Sequence, residues 1–244
     1  MSKTFSDLGI NNELQQNLAD LKITIPTIVQ EKSIPLILNE SKDVVVLAKT
    51  GTGKTAVFGL PLLQLIDKEN ADIQAVILAP TRELGQQIYN NVLDFSGDKH
   101  SASIVPLFGG IPIKPQIESL KSLTNIVVAT PGRLVDLLKR EEISLNKLKY
   151  LVLDEADEMV SALKEDLDVI IAQFPKTRRT LLFTATMPGA IKQLVQNYMS
   201  KHVIQVEADM ETVGNQGIDH QYVVVKPIEK LEVLLHFLNS KEGE

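Results

Sequence analysis

The chain has 244 residues, 44% hydrophobic and 23% charged, enough for one large globular domain and a smaller part at roughly 150 residues per domain. Its net charge of −6 excludes a protein that coats nucleic acid by bulk positive charge, but leaves room for a local phosphate-binding track. Cysteine is absent, which excludes disulfides and thiolate-bound zinc; no apolar run approaches the ~18 residues of a membrane helix, and the start, Met1-Ser2-Lys3-Thr4, has no apolar signal segment, so a cytoplasmic location is expected.

Residues 1–38 read as helical and irregular, punctuated by Pro26 and Pro35. Seven short β-branched runs follow, at 43–48, 75–79, 103–108, 125–129, 150–153, 180–184 and 203–206. Several are apolar at both parities, the pattern of a parallel strand covered on both faces. Amphipathic segments of helical length lie between them, among them 83–95, 133–140 and 189–199. Strands alternating with helices predict a doubly wound, mostly parallel α/β sheet, with ligand sites at the carboxyl ends of the strands. Residues 207–219 are acidic, carry Gly214 and Gly217, and read as a linker. A further strand at 220–225 and helix at 228–239 read as the start of a second domain, because such a unit cannot bury a core alone. The four histidines, at 100, 202, 220 and 236, have no metal-binding spacing.

The sharpest chemical signal is Ala48-Lys49-Thr50-Gly51-Thr52-Gly53-Lys54-Thr55, between the first strand and a helix that runs to Ile66. A glycine-rich turn lets backbone N–H groups crowd around phosphate oxygens, and the helix N-terminus adds the positive end of its dipole. Lys54, expected to be an exposed loop side chain, would reach the β- and γ-phosphates, and the Thr55 hydroxyl would ligate Mg²⁺. The generic pattern has glycine where Ala48 stands. The second signal is the strand 150–153 followed by Asp154-Glu155-Ala156-Asp157. Asp154 suits a metal held through water, and Glu155 suits the base that orients and deprotonates an attacking water.

Together these motifs resemble the DEAD-box family of ATP-dependent RNA helicases. Asp154-Glu155-Ala156-Asp157 is the family's namesake tetrapeptide, and its phosphate loop begins with alanine, as here at Ala48. Pro80-Thr81-Arg82-Glu83-Leu84, Gly109-Gly110, Thr130-Pro131-Gly132-Arg133 and Thr184-Ala185-Thr186 follow in the family's order. The resemblance implies a RecA-like lobe over residues 39–206, linker 207–219 and the truncated start of a second helicase lobe at 220–244. It also implies ATP and Mg²⁺ as cofactors and RNA as partner, gripped through its sugar-phosphate backbone by Pro80, Thr81, Arg82, Gly109, Gly110, Thr130, Pro131, Gly132 and Arg133. Arginines suit charge-assisted bonds to phosphate, and glycines allow close approach. Asp157, Thr184 and Thr186 would couple nucleotide to RNA, with threonine at 184 in place of the usual serine.

Pro26-Thr27-Ile28-Val29-Gln30 resembles the family's glutamine motif, in which Gln30 pairs with adenine N6 and N7 and so selects ATP over GTP. Phe5 stands at the spacing of the upstream aromatic. Three positions depart from the pattern: Ile23 replaces the aromatic that stacks on adenine, Lys22 a glycine and Ile28 a proline. Two rivals are a P-loop ATPase acting on something other than RNA and a non-catalytic nucleotide- or RNA-binding module. A GTPase would need Asn-Lys-x-Asp; Asn146-Lys147-Leu148-Lys149 ends in lysine instead.

Overall fold

The computed structural model describes residues 3–97, 102–208 and 223–240. Residues 1–210 form one compact unit, whose seven strands β1 (Val44–Leu47), β2 (Ala75–Leu78), β3 (Ile104–Leu107), β4 (Ile126–Ala129), β5 (Tyr150–Leu153), β6 (Arg179–Thr184) and β7 (Ile204–Glu207) make one sheet. The order is β3-β4-β2-β5-β6-β1-β7, and every pairing is parallel. All seven expected strands are present, and β7 extends one residue into the predicted linker.

Period-two alternation sends each strand's side chains to two separate cores. Val44, Val46, Ala75, Ile77, Val128, Val152 and Phe183 face helices α1 (Asn12–Asp20), α2 (Ile28–Asn39), α3 (Lys54–Leu65) and α4 (Arg82–Ser96). Val45, Leu47, Val76, Leu78, Val127, Leu153 and Leu182 face α6 (Pro131–Lys139), α7 (Ala156–Ala162), α8 (Lys164–Ala172) and α9 (Gly189–Tyr198); α5 (Ile113–Leu120) packs at their margin. Phe58 of α3 meets Phe183 of β6 edge to face, with ring centroids 5.1 Å apart, a contact worth ~1 kcal/mol beyond burial.

The segment before β1 belongs to this core: Phe5, Leu8, Ile10, Leu14 and Leu18 are all buried in it. Pro35, read as punctuation, sits inside α2, and Pro61 lies within α3, the helix expected to run to Ile66. Both helices are apolar enough that burial outweighs the lost backbone bond. At the amino edge of the sheet, Arg179 donates to the carbonyls of Leu36 and Ile37 and so caps the end of α2.

Residues 211–244 form a second unit, of which 223–240 are described. Residues 223–225 are not strand, contrary to expectation, and 220–222 lie outside the described residues, as does the predicted linker from 209 onward. A strand needs a partner ladder, and none forms there among the described residues. A short 3₁₀ turn (Pro227–Glu229) leads into helix α10 (Lys230–Ser240).

Candidate active site

Parallel strands place all their carboxyl ends on one edge, so the strand order decides which motifs become neighbours. The phosphate loop ends β1, the acidic tetrapeptide ends β5, and Thr184-Ala185-Thr186 ends β6 between them. The other three motifs end β3, β4 and β2, which are neighbours in that order. One half of the edge therefore carries the candidate nucleotide residues and the other half the candidate RNA residues.

In the phosphate loop, Gly51 and Gly53 have φ of +81° and +88°. At Gly53 any side chain would also strike Gln30, since a Cβ would lie 2.5 Å from Nε2. The Thr52 hydroxyl donates to Lys49 O at 2.8 Å and closes the turn. Lys54 opens α3 but does not project into solvent. It is 6% exposed, donates from Nζ to Ala48 O at 3.2 Å and lies 4.0 Å from Asp154 Oδ1. The exposed lysine expected from sequence is thus a buried one, folded back under its own loop. Thr55 is half-buried in the first turn of α3.

Asp154 is 3% exposed, and burial pushes its carboxyl up to about 6, against the pull of Lys54 and the Glu155 N–H at 3.1 Å. A buried carboxylate in that position gains from a divalent cation, so Thr55 and Asp154 fit the Mg²⁺ that the motif implies. Among the described residues no cluster of three acidic, His or Cys side chains could hold an ion unaided, so nucleotide phosphates would complete the shell. Glu155 is left-handed, with φ +50° and ψ +51°, which costs ~1 kcal/mol. Its Oε1 accepts a long bond, 3.4 Å, from Thr50 of the phosphate loop.

Asp157 accepts from the Thr186 hydroxyl at 2.7 Å, and the Thr184 hydroxyl donates to Thr186 O at 2.7 Å. Burial pushes the Asp157 carboxyl up, but hydrogen bonding, first of all from the Thr186 hydroxyl, outweighs it and holds the group below its usual range. Threonine at 184 keeps the bond that serine would make.

On the adenine side, Gln30 is buried, and Ile23 is half-buried against the core. Phe5 is 4% exposed and packs in the core rather than at the site. On the RNA side, Thr81 caps α4 by accepting from Leu84 N, and Arg82 beside it is exposed. Thr130 leaves α6 uncapped and accepts instead from Gly109 N at 3.2 Å. Arg133 donates from Nη2 to Ile111 O at 2.8 Å, while its Nη1 is buried without a partner. Pro131 opens α6, Gly132 is exposed, and Pro80 is half-buried. A Cβ on Gly110, whose φ is +76°, would lie 3.8 Å from Arg82 Nη1.

The family model for DEAD/DEAH box helicases matches residues 27–194. The chain belongs to that family. Its relatives include the ATP-dependent RNA helicase CshA of Limosilactobacillus reuteri, 40% identical over 98% of this chain and 48% of the relative. The ATP-dependent RNA helicase DeaD of Escherichia coli is 41% identical over 98% of this chain and 38% of its own length. The chain therefore spans about half the length, or less, of these relatives. A DEAD box protein from the hyperthermophile Methanococcus jannaschii has the same fold, with a TM-score of 0.81 and 37% identity over 99% of this chain and 65% of that one. An S. cerevisiae Dbp5 variant bound to RNA and ADP BeF3 has a TM-score of 0.76 at 30% identity, covering 85% of this chain and 52% of that one.

Within this DEAD-box lobe, the expected nucleotide residues converge and the expected RNA residues line up on three adjoining strands. Gln116 of α5 escaped the sequence reading. It is 6% exposed and donates to the carbonyls of Phe108 and Pro112 beside Gly109-Gly110. A single glutamine on an amphipathic helix gives no signal of that role.

Proposed function

We propose that this chain is the ATP-binding lobe of an ATP-dependent RNA helicase, working with a second lobe that begins near residue 220 after the 207–219 linker. The observation that carries this reading is Lys54 Nζ lying 4.0 Å from Asp154 Oδ1, which joins phosphate loop and acidic tetrapeptide into one site. The loop N–H groups and Lys54 would bind the β- and γ-phosphates. Thr55 and Asp154 would hold Mg²⁺, which when bound neutralises phosphate charge. Glu155 would take the proton of the attacking water on its carboxylate. Thr81, Arg82, Gly109, Gly110, Thr130 and Arg133 would bind backbone phosphates without reading bases. The Thr186–Asp157 bond, between β6 and α7, ties the strand that separates the two nucleotide motifs to the helix after the acidic one.

The test is a pair of variants. Asp154→Asn should weaken Mg²⁺-dependent ATP binding to residues 1–244 by calorimetry. Glu155→Gln should keep that binding but, in the longer protein with both lobes, stop turnover. Native turnover by Glu155→Gln would overturn the base assignment.

A further inference from the structure

The loop between β3 and α5, residues 108–112, is held from three directions. From α5, Gln116 Nε2 donates to Phe108 O at 3.2 Å and to Pro112 O at 3.4 Å. From α6, Arg133 Nη2 donates to Ile111 O at 2.8 Å. From the end of β4, Thr130 Oγ1 accepts from Gly109 N at 3.2 Å.

Gln116 is the one buried residue of α5, so the most enclosed position of an amphipathic helix is given to an amide. Burying an amide is unfavourable unless its bonds are made. The bond to Pro112 is local, four residues back, and a mere helix fastener would stop there. The bond to Phe108 reaches out of the helix, to the residue just before Gly109. The amide is also incompletely used: Gln116 Oε1 is buried without a partner, as is Arg133 Nη1. Two side chains that grip the same loop thus each keep one unused polar atom.

We propose that Gln116 is a positioning residue for RNA binding, one that sets the 108–112 loop so that Gly109 and Gly110 face a backbone phosphate. This rests on the RNA reading of that sheet edge. Arg133 is placed to serve both loop and phosphate. When its guanidinium turns to phosphate it releases Ile111, and Gln116 then holds the loop. The unused Oε1 gives Gln116 an acceptor for an N–H that the shifting loop turns inward.

Gln116→Met keeps the unbranched shape and removes both polar groups, so the fold should survive. Gln116→Glu keeps the shape without the donor and is the second variant. Three quantities are measured on residues 1–244: anisotropy of a labelled single-stranded RNA at low salt, ADP affinity by calorimetry, and hydrogen exchange at residues 109–111. Both variants should bind RNA about tenfold more weakly, the scale of one or two hydrogen bonds. ADP affinity should stay within about twofold, since the 108–112 loop follows β3, at the opposite part of the sheet order from β1 and its phosphate loop. Exchange at 109–111 should quicken by about tenfold and stay unchanged in the phosphate loop. Unchanged exchange at 109–111, unchanged RNA affinity, or equal loss of RNA and ADP binding would each overturn the proposal. Arg82→Ala and Arg133→Ala separate the two readings: if both bind RNA as the native chain does, or the native chain binds none, the RNA track itself is wrong. The exchange result then decides whether Gln116 sets the loop.

Discussion

Gln30 Nε2 donates to the carbonyl of Gly53 at 3.1 Å, so the residue proposed to read the base is bonded to the loop proposed to hold the phosphates. Its Oε1 accepts from Thr27 N at 2.9 Å, and the Thr27 hydroxyl donates to Thr52 O at 2.9 Å. A glutamine amide has two donors and two acceptor lone pairs. One of each is spent within the protein, and the remaining donor and acceptor would be the ones to pair with adenine N7 and N6.

Gln30→Ala should therefore do two things. It should weaken ADP binding by ~1–3 kcal/mol, the scale of a bidentate base contact, and narrow the preference of adenine over guanine nucleotides. It should also weaken pyrophosphate, because Gly53 loses its anchor. Calorimetry with ADP, GDP and pyrophosphate separates the effects. Equal affinity of the native protein for ADP and GDP would remove the base-reading role, and unchanged pyrophosphate affinity in the variant would remove the coupling.

Lys54→Ala should abolish measurable ATP binding and also lower stability. Asp154 would remain buried at 3% exposure without its cation, at a cost of about 1–3 kcal/mol. The double variant Lys54→Ala/Asp154→Asn should regain most of the melting temperature and none of the ATP affinity. A single variant as stable as the native chain would show that the 4.0 Å approach contributes little.

The seven strands were legible because buried parallel strands leave apolar residues at both parities, as in Val44-Val45-Val46-Leu47. The position of the six motifs from the phosphate loop onward was legible because each follows a strand. Strand order was not, since nothing local to β6 says that it lies between β5 and β1. Nor was the burial of Lys54, which depends on Asp154 arriving from a strand 100 residues away in sequence. Sequence placed Gln30 in a motif but could not reveal its bond to Gly53, and it gave Gln116 no role. The strand expected at 220–225 failed at 223–225 for the converse reason: its residues suit a strand, but a ladder is a tertiary property.

Lys22 stands where the family's pattern has glycine, and its φ is +60°. Lys22 N–H donates to Ala19 O and Ile23 N–H to Leu18 O, which closes the end of α1 in the left-handed turn that glycine makes without strain. Lys22→Gly should raise stability by ~1 kcal/mol, or about 2–4 °C in melting temperature for a chain of this size. Lys22→Ala should gain nothing. Equal melting temperatures for all three chains would mean that the strain is relieved elsewhere.

Residues 1–244 alone should bind adenine nucleotide weakly and hydrolyse it very slowly. Lys54 and Thr55 follow β1, and Asp154 and Glu155 follow β5, on one sheet edge with β6 between them, so all four would approach a γ-phosphate from one side. By resemblance to the family, the other side would receive arginines from a second lobe, and the chain spans about half the length of relatives such as CshA. An arginine finger is worth ~10³–10⁵ in rate in related phosphoryl transfers. RNA should also bind weakly, because Arg82, Thr130 and Arg133 would form only half of a clamp and a net charge of −6 adds no general attraction. In the longer protein, ATP and RNA should favour the same closed arrangement of lobes, so each raises the affinity of the other. The check is steady-state ATPase of purified 1–244 with and without single-stranded RNA. Robust turnover that rises several-fold with RNA and disappears in Lys54→Ala would show that one lobe is a complete enzyme, and that the second lobe's arginines are not needed for the chemistry.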